Sequence, residues 1–162
     1  MKDKKLIIAR VILTALTVAA VAAIFFNSSQ SAIESSERSS PLTDWVNGIL
    51  SGLSIPFSVS EKFIRKLAHF TEYAILGTML SVTYYLYLLR IKTALISTLI
   101  TGAAIAVIDE IIQLFSEGRS CQISDMLLDF CGVAFASVIV MLIVRAKASK
   151  RRKKQLDAVS KR

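Results

Sequence analysis

The chain has 162 residues, 54% of them hydrophobic and 20% charged, with a formal net charge of +8. Its mean hydropathy is +0.57, and its apolar residues fall in long blocks. That pattern excludes an ordinary soluble domain, because a chain of this size cannot cover several helices that are apolar all round.

Four blocks approach the roughly 20 apolar residues that one membrane helix needs: Leu6–Phe26, Ala68–Leu89, Thr93–Phe115 and Met126–Val144. The expected fold is all-α, a polytopic membrane protein whose four transmembrane helices form an antiparallel bundle. Residues 1–26 are read as the N-terminal transmembrane helix. Lys2, Lys4 and Lys5 ahead of the block, and Ala20-Val21-Ala22 within it, also fit a signal peptide. Its 21 residues are long for a signal core, so an uncleaved helix is expected. Cleavage would leave the other three helices unchanged.

Residues 27–64 are read as an extracytoplasmic linker. Asn27–Ser40, "NSSQSAIESSERSS", is serine-rich and polar, which predicts a flexible stretch. "PLTDWVNGILSGLSIPF" is too short and broken to span, so it is placed at the outer interface, where Trp45 is favoured, or else it is a loop over the helix ends. Residues 65–144 hold the other three helices, and residues 145–162 form a basic cytoplasmic tail. That tail, "RAKASKRRKKQLDAVSKR", directly follows an apolar helix without interleaved aromatics. It suits anionic lipid headgroups, and no nucleic-acid partner is expected. Cys121 and Cys131 are expected to be free, buried thiols, too far apart along a helix to bridge.

Charge placement sets the orientation. Lys2, Lys4, Lys5, Arg10, Arg90, Lys92 and nine basic residues of Arg145–Arg162 fall on one side of the four-helix topology. Arg38, Lys62, Arg65, Lys66 and Arg119 fall on the other. The bias predicts a multi-pass protein of the cell membrane with both termini cytoplasmic.

In this topology three regions deliver polar residues to the outer face. The second helix starts there with Arg65, Lys66, His69, Glu72 and Tyr73. The third ends there with Asp109, Glu110 and Gln113, Arg119 follows in the loop, and the fourth starts with Asp125 and Asp129. Arg65, His69, Glu72 and Leu76 share a helical stripe, as do Gly102, Ala106, Asp109 and Gln113, and Asp125, Asp129, Gly132 and Ala136. The last two stripes continue as small residues, which let membrane helices approach closely. Lys66, His69, Glu72, Tyr73, Asp109, Glu110, Gln113, Arg119, Asp125 and Asp129 are therefore expected to line one ligand pocket. Buried ionisable groups in a membrane mark functional sites unless they pair with one another, and a salt-bridge network fastening the helix ends is the competing reading.

Candidates for catalysis are His69, Glu72 and Glu110, with His69 as a general base oriented by Glu72 one turn on. No residues form a tight metal motif, although carboxylates with one imidazole would suit Mg²⁺, Mn²⁺ or Ca²⁺ better than a structural zinc. No nucleophile elbow supports a serine hydrolase.

"RKLAHFTEYAILG" followed by "DEIIQLFSEGRSCQISDMLLDFCG" resembles the VanZ-like membrane proteins, from about Arg65 to Val144. The family's recurring polar positions map onto Lys66, His69, Tyr73, Glu110, Gln113, Arg119, Asp125, Asp129 and Gly132. Relatives often carry Asn where this chain has Asp129. The namesake is associated with low-level teicoplanin resistance, so the resemblance implies an envelope protein that binds or modifies a surface component and lowers glycopeptide susceptibility. The implied partners are membrane lipids, a cell-wall precursor or the glycopeptide. Two alternatives stand beside this reading: a small enzyme acting on a lipid or lipid-linked wall precursor, and a purely structural membrane partner. A transporter is disfavoured, because the polar cluster lies at one end and not at the midplane.

Overall fold

The computed structural model describes residues 2–160 as five helices with no strand among them: α1 (Lys2–Ser28), α2 (Ala32–Gly52), α3 (Glu61–Leu88), α4 (Ile91–Leu114) and α5 (Ile123–Ser160). Three of them are long and apolar enough to cross a membrane, over Asp3–Ser28, Ile91–Leu114 and within Ile123–Ala158. The expected span at Ala68–Leu89 falls in α3 and its C-cap; that helix is long enough at 28 residues but less apolar. It carries Glu72 and all four tyrosines of the chain. The reason is position. α3 packs against each of the other four helices, so its polar side chains have protein neighbours on several sides.

The core is a small cluster of Ile24, Tyr73, Leu76, Leu80, Ile105, Ala106 and Val133. Around it the usual inside-out rule is reversed. Ile7, Val11, Leu16, Ile96, Ile100, Val107, Phe135 and Leu142 are exposed, while Thr17, Ser81, Thr98 and Ser137 are buried. A surface this apolar suits lipid. Three of the buried hydroxyls donate one turn back to a backbone carbonyl: Thr17 to Leu13, Thr98 to Ala94 and Ser137 to Val133. Such residues satisfy themselves and still let helices close up.

Closest approach occurs where the small residues sit. A Cβ on Gly77 would stand 2.6 Å from the Val133 carbonyl oxygen, and one on Gly132 would stand 2.5 Å from that of Phe70. α3 and α5 therefore meet backbone to backbone, running in the same direction. Val133 also projects toward α4, where a Cβ on Gly102 would lie 2.5 Å from its Cγ1. At the opposite end of α3, Arg10 donates to the Leu86 carbonyl at 2.8 and 3.1 Å and stands over the Tyr87 ring. This occupies one of the carbonyls that a helix C-terminus leaves without an intrahelical partner.

The flexible linker expected at Asn27–Ser40 is not found. Ser29 to Ser31 make a short turn, and α2 then runs unbroken through Pro41. Its start is a capping box: the Glu34 amide donates to the Ser31 hydroxyl, and the Ser31 amide donates to the Glu34 carboxylate at 2.9 Å. Those bonds hold the Glu34 carboxyl below its usual range. Serine content misleads here because Ser39 and Thr43 bond backward to the carbonyls of Ser35 and Ser39. Leu42, Trp45 and Ile49 form one exposed apolar row on α2. At the other end of the chain, residues 145–160 are helical and continue α5. Both cysteines are free, but Cys131 is exposed and Cys121 half-buried, so the expectation of two buried thiols fails. Cys131 precedes the packed Gly132–Val133 pair and is turned about 100° away from it.

Candidate functional site

α1 and α4 end where α3 and α5 begin, and the polar residues gather at that end of the bundle. Residues 115–122 close it. Gly118 has φ +73°, a left-handed conformation that glycine adopts without strain, and a Cβ there would press on Ala32 at 3.1 Å. The loop is tied to the end of α1 and the start of α2. Ser116 donates to the Ser28 carbonyl at 2.9 Å, Arg119 donates to the same carbonyl at 3.4 Å, and the Ala32 amide donates to the Glu117 carbonyl at 2.9 Å. Burial, with Arg65 nearby, lowers the proton affinity of the Arg119 guanidinium.

Beneath this loop lies a cavity of about 170 Å³. Arg65, Lys66, His69, Gln113, Arg119, Asp125 and Asp129 reach its wall. Lys66 and Asp125 form an ion pair at the mouth, both partly exposed. Arg65 and Arg119 have no carboxylate within ion-pair distance among the described residues. A second cavity of similar size shares Arg65, His69 and Arg119, and adds Asn27, Arg38 and Glu72.

The floor is acidic and buried. Asp109, Glu110 and Tyr73 are 0% exposed and Asp129 is 1% exposed. Gln113 donates to Asp109 Oδ2 at 3.2 Å, and the Gln122 amide donates to Glu110 Oε2 at 2.8 Å. His69 Nδ1 stands 3.8 Å from Asp129 Oδ1. The Tyr73 and Ser28 hydroxyls stand beside the Asp109 carboxylate, whereas among the described residues nothing donates to either oxygen of Asp129. Each such group costs about 1–3 kcal/mol, and more if charged. Both oxygens of Asp129 carry that cost among the described residues.

Of the ten residues expected to share one pocket, Lys66, His69, Gln113, Arg119, Asp125 and Asp129 do line it. Asp109 stands behind them, close enough for its carboxylate to meet His69 and Asp129 within 4.8 Å. Glu110 and Tyr73 are buried beside the floor, off the cavity wall. Glu72 belongs to the second cavity, where its carboxylate accepts from Asn27 at 3.1 Å. No hydrogen bond joins His69 to Glu72 among the described residues, and the carboxylate that His69 approaches is Asp129, at 3.8 Å. Residues outside the expected set also contribute: Arg65 on the wall, Ser28 and Asn27 at the end of α1, and Gln122 before α5. Arg65 lies on the same stripe as His69, so the signal for it was present. Asn27 and Ser28 are simply polar residues at a helix end.

A family model described as VanZ/LLP1 matches residues 13–144. No curated protein and no solved structure matches the chain. The match is wider than the segment Arg65–Val144, since it takes in most of α1 and all of α2.

Proposed function

Because the chain belongs to the VanZ/LLP1 family, we propose that it is a multi-pass protein of the cell membrane whose polar cavity opens outward and binds an anionic envelope component. In this reading α1, α3, α4 and α5 cross the bilayer, both termini are cytoplasmic, and α2 lies at the outer interface. α3 spans about 42 Å at 1.5 Å per residue, ample for a bilayer core of about 30 Å. The excess of Lys and Arg at the end away from the cavity supports the orientation. Trp45 in the exposed row of α2 supports the interfacial placement.

The observation that carries the ligand class is the pair of guanidiniums, Arg65 and Arg119, on the cavity wall with no carboxylate partner among the described residues. Guanidinium forks match phosphate and carboxylate oxygens. A lipid headgroup or a lipid-linked wall precursor offers such groups at the outer leaflet, and the association of the family's namesake with teicoplanin directs the phenotype to be tested. Expression in a teicoplanin-sensitive host should raise the inhibitory concentration. Arg65→Gln and Arg119→Gln should cancel that rise at unchanged membrane abundance. Cancellation with matching loss of protein would instead support a helix-fastening role.

A second reading is an enzyme at the same place, favoured by the His69–Asp129 approach at 3.8 Å, the arrangement of a base oriented by an acid. Mass spectrometry of envelope lipids with and without the protein separates the two. A component of altered mass supports modification, whereas an unaltered component that co-purifies supports binding.

A further inference from the structure

We infer that His69, Asp109 and Asp129 form a binding site for one divalent cation of the Mn²⁺ class at the floor of the cavity. This goes beyond the recognition of an envelope component, because the cation would bind to the protein alone. The three side chains come from α3, α4 and α5, and each offers one ligand atom within 4.8 Å of the others. Metal–ligand bonds of about 2.1 Å place neighbouring ligands about 3.0 Å apart and opposite ligands about 4.2 Å apart. The 3.8 Å between His69 Nδ1 and Asp129 Oδ1 lies inside that interval. The other pairs lie within 4.8 Å, so binding draws the three side chains inward around the ion.

The free oxygens argue for this independently of the spacing. Both Asp129 oxygens lack any hydrogen-bond donor among the described residues, although the side chain is 1% exposed. Lys66, on the cavity wall, is committed to Asp125. Gln113 holds Asp109 by Oδ2, which fixes the carboxylate. Ligating carboxylates are oriented by such outer hydrogen bonds. Buried Glu110 adds a further acidic group nearby.

The donor set selects the cation. One imidazole nitrogen with carboxylate oxygens suits Mn²⁺ better than Ca²⁺, which gathers six to eight oxygens, and lacks the thiolates of a structural zinc site. His69 and Asp129 border the cavity, which gives the ion an entry path and room for water in its open positions.

The test is a titration of the purified full-length chain in detergent with MnCl₂, followed by the loss of the free Mn²⁺ electron paramagnetic resonance signal. The expected result is saturable uptake of one ion per chain. Asp109→Asn and Asp129→Asn, which keep shape and remove charge, should weaken uptake more than about tenfold, while Glu37→Gln on the exposed face of α2 should leave it unchanged. If either Asn variant fails to fold, His69→Gln provides the same comparison. Absence of saturable uptake by the wild-type chain overturns the site. Equal uptake by the wild-type chain and the folded ligand variants overturns it as well. Neither result bears on Arg65 or Arg119, so the envelope-component reading stands or falls separately.

Discussion

Replacing Gly132 with alanine should loosen the α3–α5 contact at the level of the site. The added Cβ would lie 2.5 Å from the Phe70 carbonyl oxygen, against an ordinary contact of at least 3.4 Å, so the helices must part by roughly 0.9 Å. Phe70 presents helix backbone there, which cannot rotate aside as a long side chain would. Overpacking of this kind costs about 1–3 kcal/mol, and the better helix propensity of alanine returns at most about 1 kcal/mol. With that gain returned in full, the net loss of about 0–2 kcal/mol corresponds to a melting temperature lower by up to about 8 °C for a chain of this length. Gly48→Ala is the matched control, because nothing lies within 4 Å of a Cβ there. It should raise the melting temperature by about 2–4 °C if it gains the full propensity difference. Circular dichroism melts of both variants in one detergent decide the matter. A Gly132→Ala protein as stable as Gly48→Ala would refute the claim of backbone contact.

Three further outcomes are expected. Reporter fusions after Ser35 and at the C-terminus should give signals on opposite sides of the membrane, and same-side signals would end the four-span topology. Ser31→Ala removes the capping box and should cost α2 about 0.5–2 kcal/mol, seen as faster amide exchange at Glu34 and Ser35 while α4 and α5 keep their protection. Glu110→Ala strips the Gln122 amide of its acceptor and should lower membrane abundance, at a cost of about 1–3 kcal/mol. Glu110→Gln retains a carbonyl acceptor and should restore abundance; equal loss in both would mean that the charge itself holds the fold.

Much of the architecture is legible in hydropathy alone, because a lipid-facing helix is apolar on most of its circumference. The stripes of Asp109 and Asp129 are legible for the same reason: a carboxylate among leucines has to face protein. What periodicity misses is which neighbour a residue faces. His69 and Glu72 share a stripe, yet three residues leave them about 60° apart around the helix. That angle is enough for His69 to meet α5 while Glu72 meets Asn27 of α1. α2 was hidden by composition. Its serines read as a linker, although Ser31 and Glu34 stand at capping-box spacing in the sequence. Asn27, Ser28 and Gln122 act through contacts distant in sequence, which no local pattern carries.

The seat of Val133 has a consequence for how steady the floor can be. It follows Asp129 by four residues, one turn along the same face of α5. Its branched side chain prefers one rotamer in a helix, and it sits where Gly77 and Gly102 leave room from two sides. A slip of α5 by one residue would turn that face by about 100°, driving Val133 out of its notch and carrying Asp129 toward the hydrocarbon. The azimuth of a buried acid is thus indexed by a side chain with no polar atom, one turn deeper in the bundle. Enlarging that notch from within, by Val133→Ala, would free the rotation without touching any charged group.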